Sequence, residues 1–136
     1  MSVMQVEIVG VQAPIFSGEA EMLFAPAVDG EVGILPNHMP FLTQLNSGEV
    51  VVRSSGEDTH FFITKGFLRV RNNKAVVLAD TVVRAKDLDE AKIQEAKQRA
   101  ENLIATANSD FDVAKAESEV ATAIAQLKLL NKLKGK

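Results

Sequence analysis

The side chains able to carry chemistry in this 136-residue chain are few and scattered. Histidine occurs only as His38 and His60, and neither is accompanied by an acid cluster of metal-ligand spacing. Both read as interface or buried-turn histidines, and no metal site is expected. Cysteine is absent, which removes thiol catalysis, thiolate-held zinc or iron–sulfur clusters, and disulfides, and fits a reducing compartment. No serine–histidine–acid arrangement is visible, so no catalytic residue is assigned. The glycines of Asp29-Gly30-Glu31-Val32-Gly33 lack the Gly-Lys-Ser/Thr ending of a phosphate loop. The chemistry that remains is that of contact. Ile34, Leu35, Met39, Phe41 and Leu42 form an apolar run punctuated by Pro36 and Pro40. Glycines at 30 and 33 permit a sharp turn, and each proline drives the residue before it into extended backbone, so this run is expected in a loop. Such a loop either folds under a sheet or offers an apolar patch to a partner. Glu31, beside glycine, reads on its own as a solvated turn carboxylate.

The composition sets what can hold that segment. Apolar residues make up 46% and charged residues 24% of 14.7 kDa, enough for one ordinary domain or a small domain with an appendage. A wholly disordered, collagen-like or disulfide-framed chain is excluded. Residues 1–7 lack a basic region followed by an apolar run, and no stretch approaches the ~20 apolar residues that cross a bilayer. A soluble chain with no membrane insertion is expected. The net charge of −3 is uneven: nine acids and five bases in residues 1–83, nine acids and ten bases in residues 84–136. Lys128, Lys132, Lys134 and Lys136 follow the last acid, Glu119. Without aromatics to stack on bases, this basic tip points to an acidic protein partner rather than nucleic acid.

Two periodicities divide the chain. Met4, Val6 and Ile8 alternate with Gln5 and Glu7 as in a half-buried strand. Turn signals recur at Ser17-Gly18, Asp29-Gly30, Asn46-Ser47-Gly48, Ser54-Ser55-Gly56 and Asn72-Asn73, between short β-branched or aromatic runs. The pattern predicts an antiparallel β-sandwich or barrel of about eight to ten strands, with a tight hairpin at Asn72-Asn73. Beyond it, the pattern predicts two helices. Asp87 with Glu90 makes a capping-box-like start, and Leu88, Ala91, Ala96, Ala100, Leu103, Ile104 and Ala107 fall near one face. Asn108-Ser109-Asp110 breaks the pattern, with Ser109 as the next cap. Val113, Ala116, Val120, Ala123, Leu127 and Leu130 then form an a/d series. Alanine at so many seam positions allows close backbone approach and predicts an antiparallel hairpin. It also buries little area, so the hairpin is either an ordinary one or one that opens at low cost.

Residues 30–43, Gly-Glu-Val-Gly-Ile-Leu-Pro-Asn-His-Met-Pro-Phe-Leu-Thr, resemble the core motif of the ε subunits of bacterial F-type ATP synthases, with Val32, Met39 and Phe41 as mild variants. The resemblance continues through Gly48, Lys65-Gly66-Phe67-Leu68-Arg69-Val70, Val77-Leu78-Ala79-Asp80 and Asp87-Leu88-Asp89-Glu90-Ala91, in order over essentially the whole chain.

It implies a ten-stranded β-sandwich over residues 1–84 that binds the γ subunit and the ring of c subunits, then a regulatory two-helix hairpin over residues 87–136. It implies a non-catalytic rotor subunit, peripheral on the cytoplasmic face of the bacterial inner membrane, that couples proton-driven ring rotation to ATP synthesis and restrains ATP hydrolysis. By this resemblance Asp29, Gly30, Glu31 and Gly33 face the c ring, and His38, Met39 and Thr43 face γ. Leu127, Lys128, Lys132 and Lys134 would hold an extended hairpin against the α and β subunits. Some relatives bind ATP on the folded hairpin through an Ile/Leu-Asp-x-x-Arg-Ala motif. Here Leu88 and Asp89 match, but Lys92 replaces arginine and Ile93 replaces alanine. Lysine keeps the charge but loses the planar fork, and Arg99 lies one heptad on. Leu88, Asp89, Lys92 and Arg99 form either a weak regulatory ATP site or a capped helix start with solvated cations. No other cofactor is implied, and the isolated chain is expected to be monomeric. The rival reading is a free-standing β-sandwich that binds a small ligand, with the helices as a dimerising element.

Overall fold

A computed structural model describes residues 2–106 and 109–134. The chain divides between Lys86 and Asp87 into two compact units. The first contains eight strands: β1 (Met4–Gly10), β2 (Pro14–Ala20), β3 (Met22–Ala27), β4 (Gly30–Ile34), β5 (Phe41–Leu45), β6 (Gly48–Ser54), β7 (Glu57–Arg71) and β8 (Lys74–Arg84). A short 3₁₀ turn, Ala85–Asp87, follows β8. The second unit holds α1 (Glu90–Thr106) and α2 (Asp110–Lys134).

Hydrogen bonding runs in the order β2-β1-β8-β7-β5-β3-β4, with β6 also paired to β3 and β7. Val6 and Ile8 from one end of this path share a single buried cluster with Leu23, Ala25 and Ile34 from the other. The sheet therefore closes over itself as a sandwich. Antiparallel pairing dominates, but β1 lies parallel to β8, with Gln5 opposite Lys74 and Gly10 opposite Ala79. Period-two patterning places residues on faces and says nothing of strand direction, which is why the fully antiparallel expectation missed this pair.

Strand β7 organises the sandwich. Its 15 residues pair with β8 along one edge, and with β5 and then β6 along the other. The runs around Phe61 and Phe67, read separately in the sequence, are thus one strand, which lowers the count to eight. A crease crosses it at Thr64–Gly66, opposite the Asn46-Ser47 break between β5 and β6. On one side Phe61 and Ile63 point into the core; on the other Leu68 and Val70 do, so the alternation changes phase. Lys65, at φ 23, makes the change locally, and its amide donates to Ser47 Oγ at 3.3 Å in place of a ladder bond. At Gly66 a Cβ would lie 2.0 Å from the Leu78 carbonyl oxygen, so only glycine fits.

Several turns fall where the sequence puts them. Asn72 and Asn73, at φ 51 and 59, close the β7–β8 hairpin, and Ser55-Gly56 closes β6–β7. Ser17-Gly18 is not a turn: both residues lie inside β2, opposite Glu7 and Val6, and the Phe16 ring covers the space a Gly18 side chain would take. The reversal is made instead around residues 11–13, where the Gly10 amide donates to the Ala13 carbonyl at 3.0 Å.

Start of α1 and end of α2 meet, with the Lys134 ammonium bonded to the Glu90 carboxylate, so the helices form an antiparallel hairpin. Asp89, not Asp87, caps α1: its carboxylate accepts from the Lys92 amide at 3.3 Å and its carbonyl from the Ile93 amide at 2.9 Å. Asp87 ends the 3₁₀ turn instead. Ser109 caps α2 as read, accepting from the Asp112 amide at 3.2 Å. The face of α1 differs from the expected one: Ile93 and Ala100 are buried, whereas Ala91, Ala96 and Leu103 are exposed, and Ala107 lies outside the described residues. On α2, Ala116, Ala123 and Leu129 are buried and Val113, Val120, Leu127 and Leu130 half-buried.

Gly66→Ala is expected to destabilise the sandwich by about 3 kcal/mol, because backbone rather than a movable side chain occupies the Cβ position. Urea denaturation of the variant at unchanged m-value tests this.

Candidate functional site

The 30–43 segment is divided by the fold. Gly30–Ile34 is a strand, not a loop: it pairs with β3, Gly33 faces Phe24, and Ile34 is buried in the core. Phe41–Leu45 is also a strand. Only residues 35–40 are loop, and they carry the exposed Leu35 and Met39. Both outcomes read from the sequence therefore occur at once, Ile34 beneath the sheet and Leu35 and Met39 outside it.

Asp29 sits in the two-residue turn joining β3 to β4, and Gly30 follows at φ 126. Asp29, Glu31 and Gly33 are exposed, Glu31 on β4 opposite Pro26. The acids assigned to one contact thus sit at the tip and along an edge strand of the sandwich.

In the loop, Leu35-Pro36-Asn37-His38 makes a turn in which the His38 amide donates to the Leu35 carbonyl at 3.2 Å. Proline second and Asn37 third, at φ 65, fit a type II turn. The half-buried His38 ring lies 5.8 Å from Phe41, with its Nδ1 2.7 Å from the Met39 carbonyl oxygen. Thr43 is half-buried on the same side of β5 as Leu45, and its hydroxyl donates to the Gln44 carbonyl at 3.3 Å.

Leu42, already part of the apolar run, is joined on this surface by two residues that sequence reasoning did not assign to it, Phe67 and Leu78. Leu42 is 69% exposed, Phe67 48% and Leu78 49%. Phe67 lies directly opposite Leu78 and Gln44, and Leu42 is its diagonal neighbour on β5, so the three make an apolar band across β5, β7 and β8. The signal was present: in Phe67-Leu68 two adjacent apolar residues cannot both face one core. The band runs into a groove of about 570 Å³ at the crease, lined among others by Val11, Val28, Lys65, Phe67, Leu78 and Asp80. Val28 adjoins Asp29, so tip and groove are neighbours. This surface offers contact, with no nucleophile–base pair in it.

Other polar groups are engaged in structure. His60 Nδ1 pairs with Glu49 Oε2 at 2.9 Å. Arg53 donates to Asp58 at 2.8 Å; that hydrogen bond, and then the carboxylate's charge, raise the guanidinium pKa above its ordinary value. Among the described residues no three or more histidines and acids stand together as metal ligands.

On the hairpin, Leu88 is half-buried, while Lys92 and Arg99 are exposed, and the Asp89 carboxylate is occupied by its capping bond. Of the terminal residues, Leu127 is half-buried, Lys128 and Lys132 are exposed, and Lys134 is engaged with Glu90.

A β-sandwich with an exposed apolar band, followed by a two-helix hairpin, is the class of protein that the fold defines. Residues 3–85 match the family described as ATP synthase, delta/epsilon chain, β-sandwich domain. Residues 86–131 match its companion, the long α-helix domain. The chain belongs to the ATP synthase delta/epsilon chain family. It is 50% identical over 131 residues to the ATP synthase epsilon chain of Hydrogenovibrio crunogenus, covering 96% of this chain and 91% of that one. It is 47% identical to the epsilon chain of Alkalilimnicola ehrlichii, covering 98% and 96%. In fold it is similar to a chain in the Euglena gracilis mitochondrial ATP synthase OSCP/F1/c-ring structure, with TM-score 0.82 and 16% identity over 96% of this chain and 82% of that one. A chain of the Tetrahymena thermophila mitochondrial ATP synthase central stalk/c-ring structure gives TM-score 0.61 at 14% identity, over 93% and 96%.

Replacing the α1 cap, Asp89→Ala, is expected to cost the hairpin about 1 kcal/mol. The check is amide hydrogen exchange in the first turn of α1, which should quicken about fivefold while β1 is unchanged.

Proposed function

We propose that this chain is the non-catalytic central-stalk subunit of an F-type ATP synthase, a rotor element that couples proton-driven rotation of the c ring to ATP synthesis and restrains ATP hydrolysis. The observation that carries the reading is the near-full-length identity to ATP synthase epsilon chains, which spans sandwich and hairpin alike. The geometry agrees with it. Leu42, Phe67 and Leu78, with Met39 and Leu35, supply the apolar centre of an interface, and γ is the partner assigned to it. His38 and Thr43 act there by holding the backbone beneath that band, and their side chains contribute little direct contact. The c ring is assigned to the hairpin tip at Asp29 and to Glu31 on the adjoining edge strand. No described helix is long and apolar enough to cross a membrane. The chain is placed at the cytoplasmic face of the bacterial inner membrane through these partners.

The hairpin is the regulatory part. Extended alone, the 25 residues of α2 reach about 37 Å at 1.5 Å per residue, enough for a strut against the α and β subunits. Lys128, Lys132 and Lys134 would face an acidic segment there, with Lys134 first released from Glu90. Leu88, Asp89, Lys92 and Arg99 are assigned at most a weak, regulatory contact with ATP, since Asp89 already serves the helix start. Against the rival reading of a ligand-binding dimer, α1 and α2 pack on one another within a single chain.

Two outcomes are expected. Leu42→Asp places a charge in the apolar band and should weaken binding to purified γ at least tenfold, about 1.4 kcal/mol, with the melting temperature held. ATP hydrolysis by an α3β3γ complex should fall when the intact chain is added and recover when residues 127–136 are removed. Equal rates with both chains, with γ binding confirmed, would take the restraint away from the α2 terminus.

A further inference from the structure

Asn73 does more than turn the β7–β8 hairpin. Its side-chain Oδ1 accepts from the backbone amide of Asn37 at 2.8 Å, and its Nδ2 donates to the Val3 carbonyl at 2.9 Å. Its own carbonyl accepts from the Gln5 amide at 3.1 Å. One residue thus ties together the start of β1, the β7–β8 turn and the Leu35–His38 turn, 36 residues away in sequence. Among the hydrogen bonds of the described residues, the Asn37–Asn73 bond is the one that fastens that turn to another part of the sandwich. Asn37 is the third residue of a type II turn, where the amide has no partner within the turn and φ is positive. The turn begins at Leu35, 55% exposed, and is followed by Met39, 72% exposed, on a loop of six residues with no ladder of its own.

We propose that Asn73 is a positioning residue for the partner-binding surface: its amide holds the Leu35–Pro40 loop in one conformation, so that Leu35 and Met39 are presented to γ without an ordering cost at binding. This deepens the proposed γ contact and rests on it. An apolar loop left free would have to be immobilised during association, which lowers affinity without removing any contact. Glycine at 73 keeps the left-handed turn, since it accepts positive φ, but deletes both side-chain bonds. Aspartate also tolerates that backbone and retains an acceptor for the Asn37 amide, but sets its second oxygen against the Val3 carbonyl oxygen in place of the donor.

The experiment compares the full-length wild type, Asn73→Gly and Asn73→Asp. Amide hydrogen exchange at Asn37 and affinity for purified γ are measured at 150 mM salt, where a surface charge is screened over about 8 Å. Asn73→Gly is expected to quicken exchange at Asn37 and weaken γ binding about fivefold, the scale of one net hydrogen bond, with the β7–β8 ladder still protected. Asn73→Asp should stay within about twofold of wild type in exchange at Asn37 and in γ binding, while exchange at Gln5, at the start of β1, quickens. If Asn73→Gly binds γ as the wild type does, the positioning role is overturned. The same follows if Asn73→Asp keeps Asn37 protected yet binds γ as weakly as Asn73→Gly, because loop order would then not be what γ reads. Absence of γ binding by the wild type overturns the partner assignment itself, while exchange at Asn37 still decides whether Asn73 holds the loop.

Discussion

The close approach of two backbones at Gly66 is the constraint on which the sandwich depends. There the chain of β7 lies so near the Leu78 carbonyl that no side chain fits, and the neighbouring Lys65 takes a left-handed φ. Together they let β7 reverse its inward face without losing register against β8: Phe61 stays opposite Arg84 and Val70 opposite Ala75 along one ladder. Both neighbours follow. In β8 the core residues Ala75, Val77 and Ala79 give way to Val82, and across the β5–β6 break Leu45 gives way to Val50 and Val52. A crease through three strands is what allows one hydrogen-bonded sheet to enclose a core made from both its ends. It replaces the separate sheets that a count of short apolar runs suggests.

The exposed apolar band follows from the same crease. Once Leu68 and Val70 turn inward, Phe67 must face out, and on β8 Leu78 faces out between Val77 and Ala79. These outward apolar side chains are not left over from poor packing, since the core cluster beneath them is fully buried. The groove lies at the crease because strands that change phase cannot fill the corner with side chains. Polar residues edge it, Lys65 on one side and Asp80 on the other. An apolar centre with a charged margin is the usual anatomy of a specific protein interface. The ordered turn at Asn37 extends that centre toward Met39.

Much of this was legible in the chain, and the exceptions have physical causes. The alternation of Met4, Val6 and Ile8, the Asn72-Asn73 turn and the Ser109 cap each rest on a local rule, and each appears in the fold as read. Ser17-Gly18 has the composition of a turn, yet pairing with β1 and the cover of Phe16 keep it in a strand; a tertiary contact outweighs a local preference there. The start of α1 was displaced by two residues because Asp87 and Asp89 are equally good caps, and only the 3₁₀ turn before them decides. Ile93 escaped because it stood in a motif comparison as a departure from alanine, not as an apolar residue needing burial. Of the contact surface, the loop residues Leu35 and Met39 were legible from their prolines. Leu42 was legible as part of the same run. Phe67 and Leu78 were not assigned, since parity, set by the crease, chooses which of two adjacent apolar residues faces out.

The hairpin is governed by a different balance. Alanine at positions 100, 116 and 123 lets two helices approach closely but contributes little apolar area, so its closure relies on Ile93, Leu129 and the half-buried leucines. The Glu90–Lys134 pair joins the free ends, yet it is solvent-exposed, and such pairs contribute about 0–1 kcal/mol. Opening would expose Ile93 and Leu129 together with the alanine methyls and release the Lys134 ammonium from Glu90. A two-state element inverts from 1:99 to 99:1 on a differential of about 5.5 kcal/mol, so the smaller the closed-state bias, the less a partner must supply. A leucine-rich interface in reserve would be hard to open; an alanine-rich one with a weak ionic clasp is not. The sandwich has the opposite character, with a core closed by backbone geometry that tolerates no side chain at its crease. One chain thus joins a sandwich closed by backbone geometry to a helical pair closed by few large apolar side chains, and the opening proposed for that pair would draw on the difference.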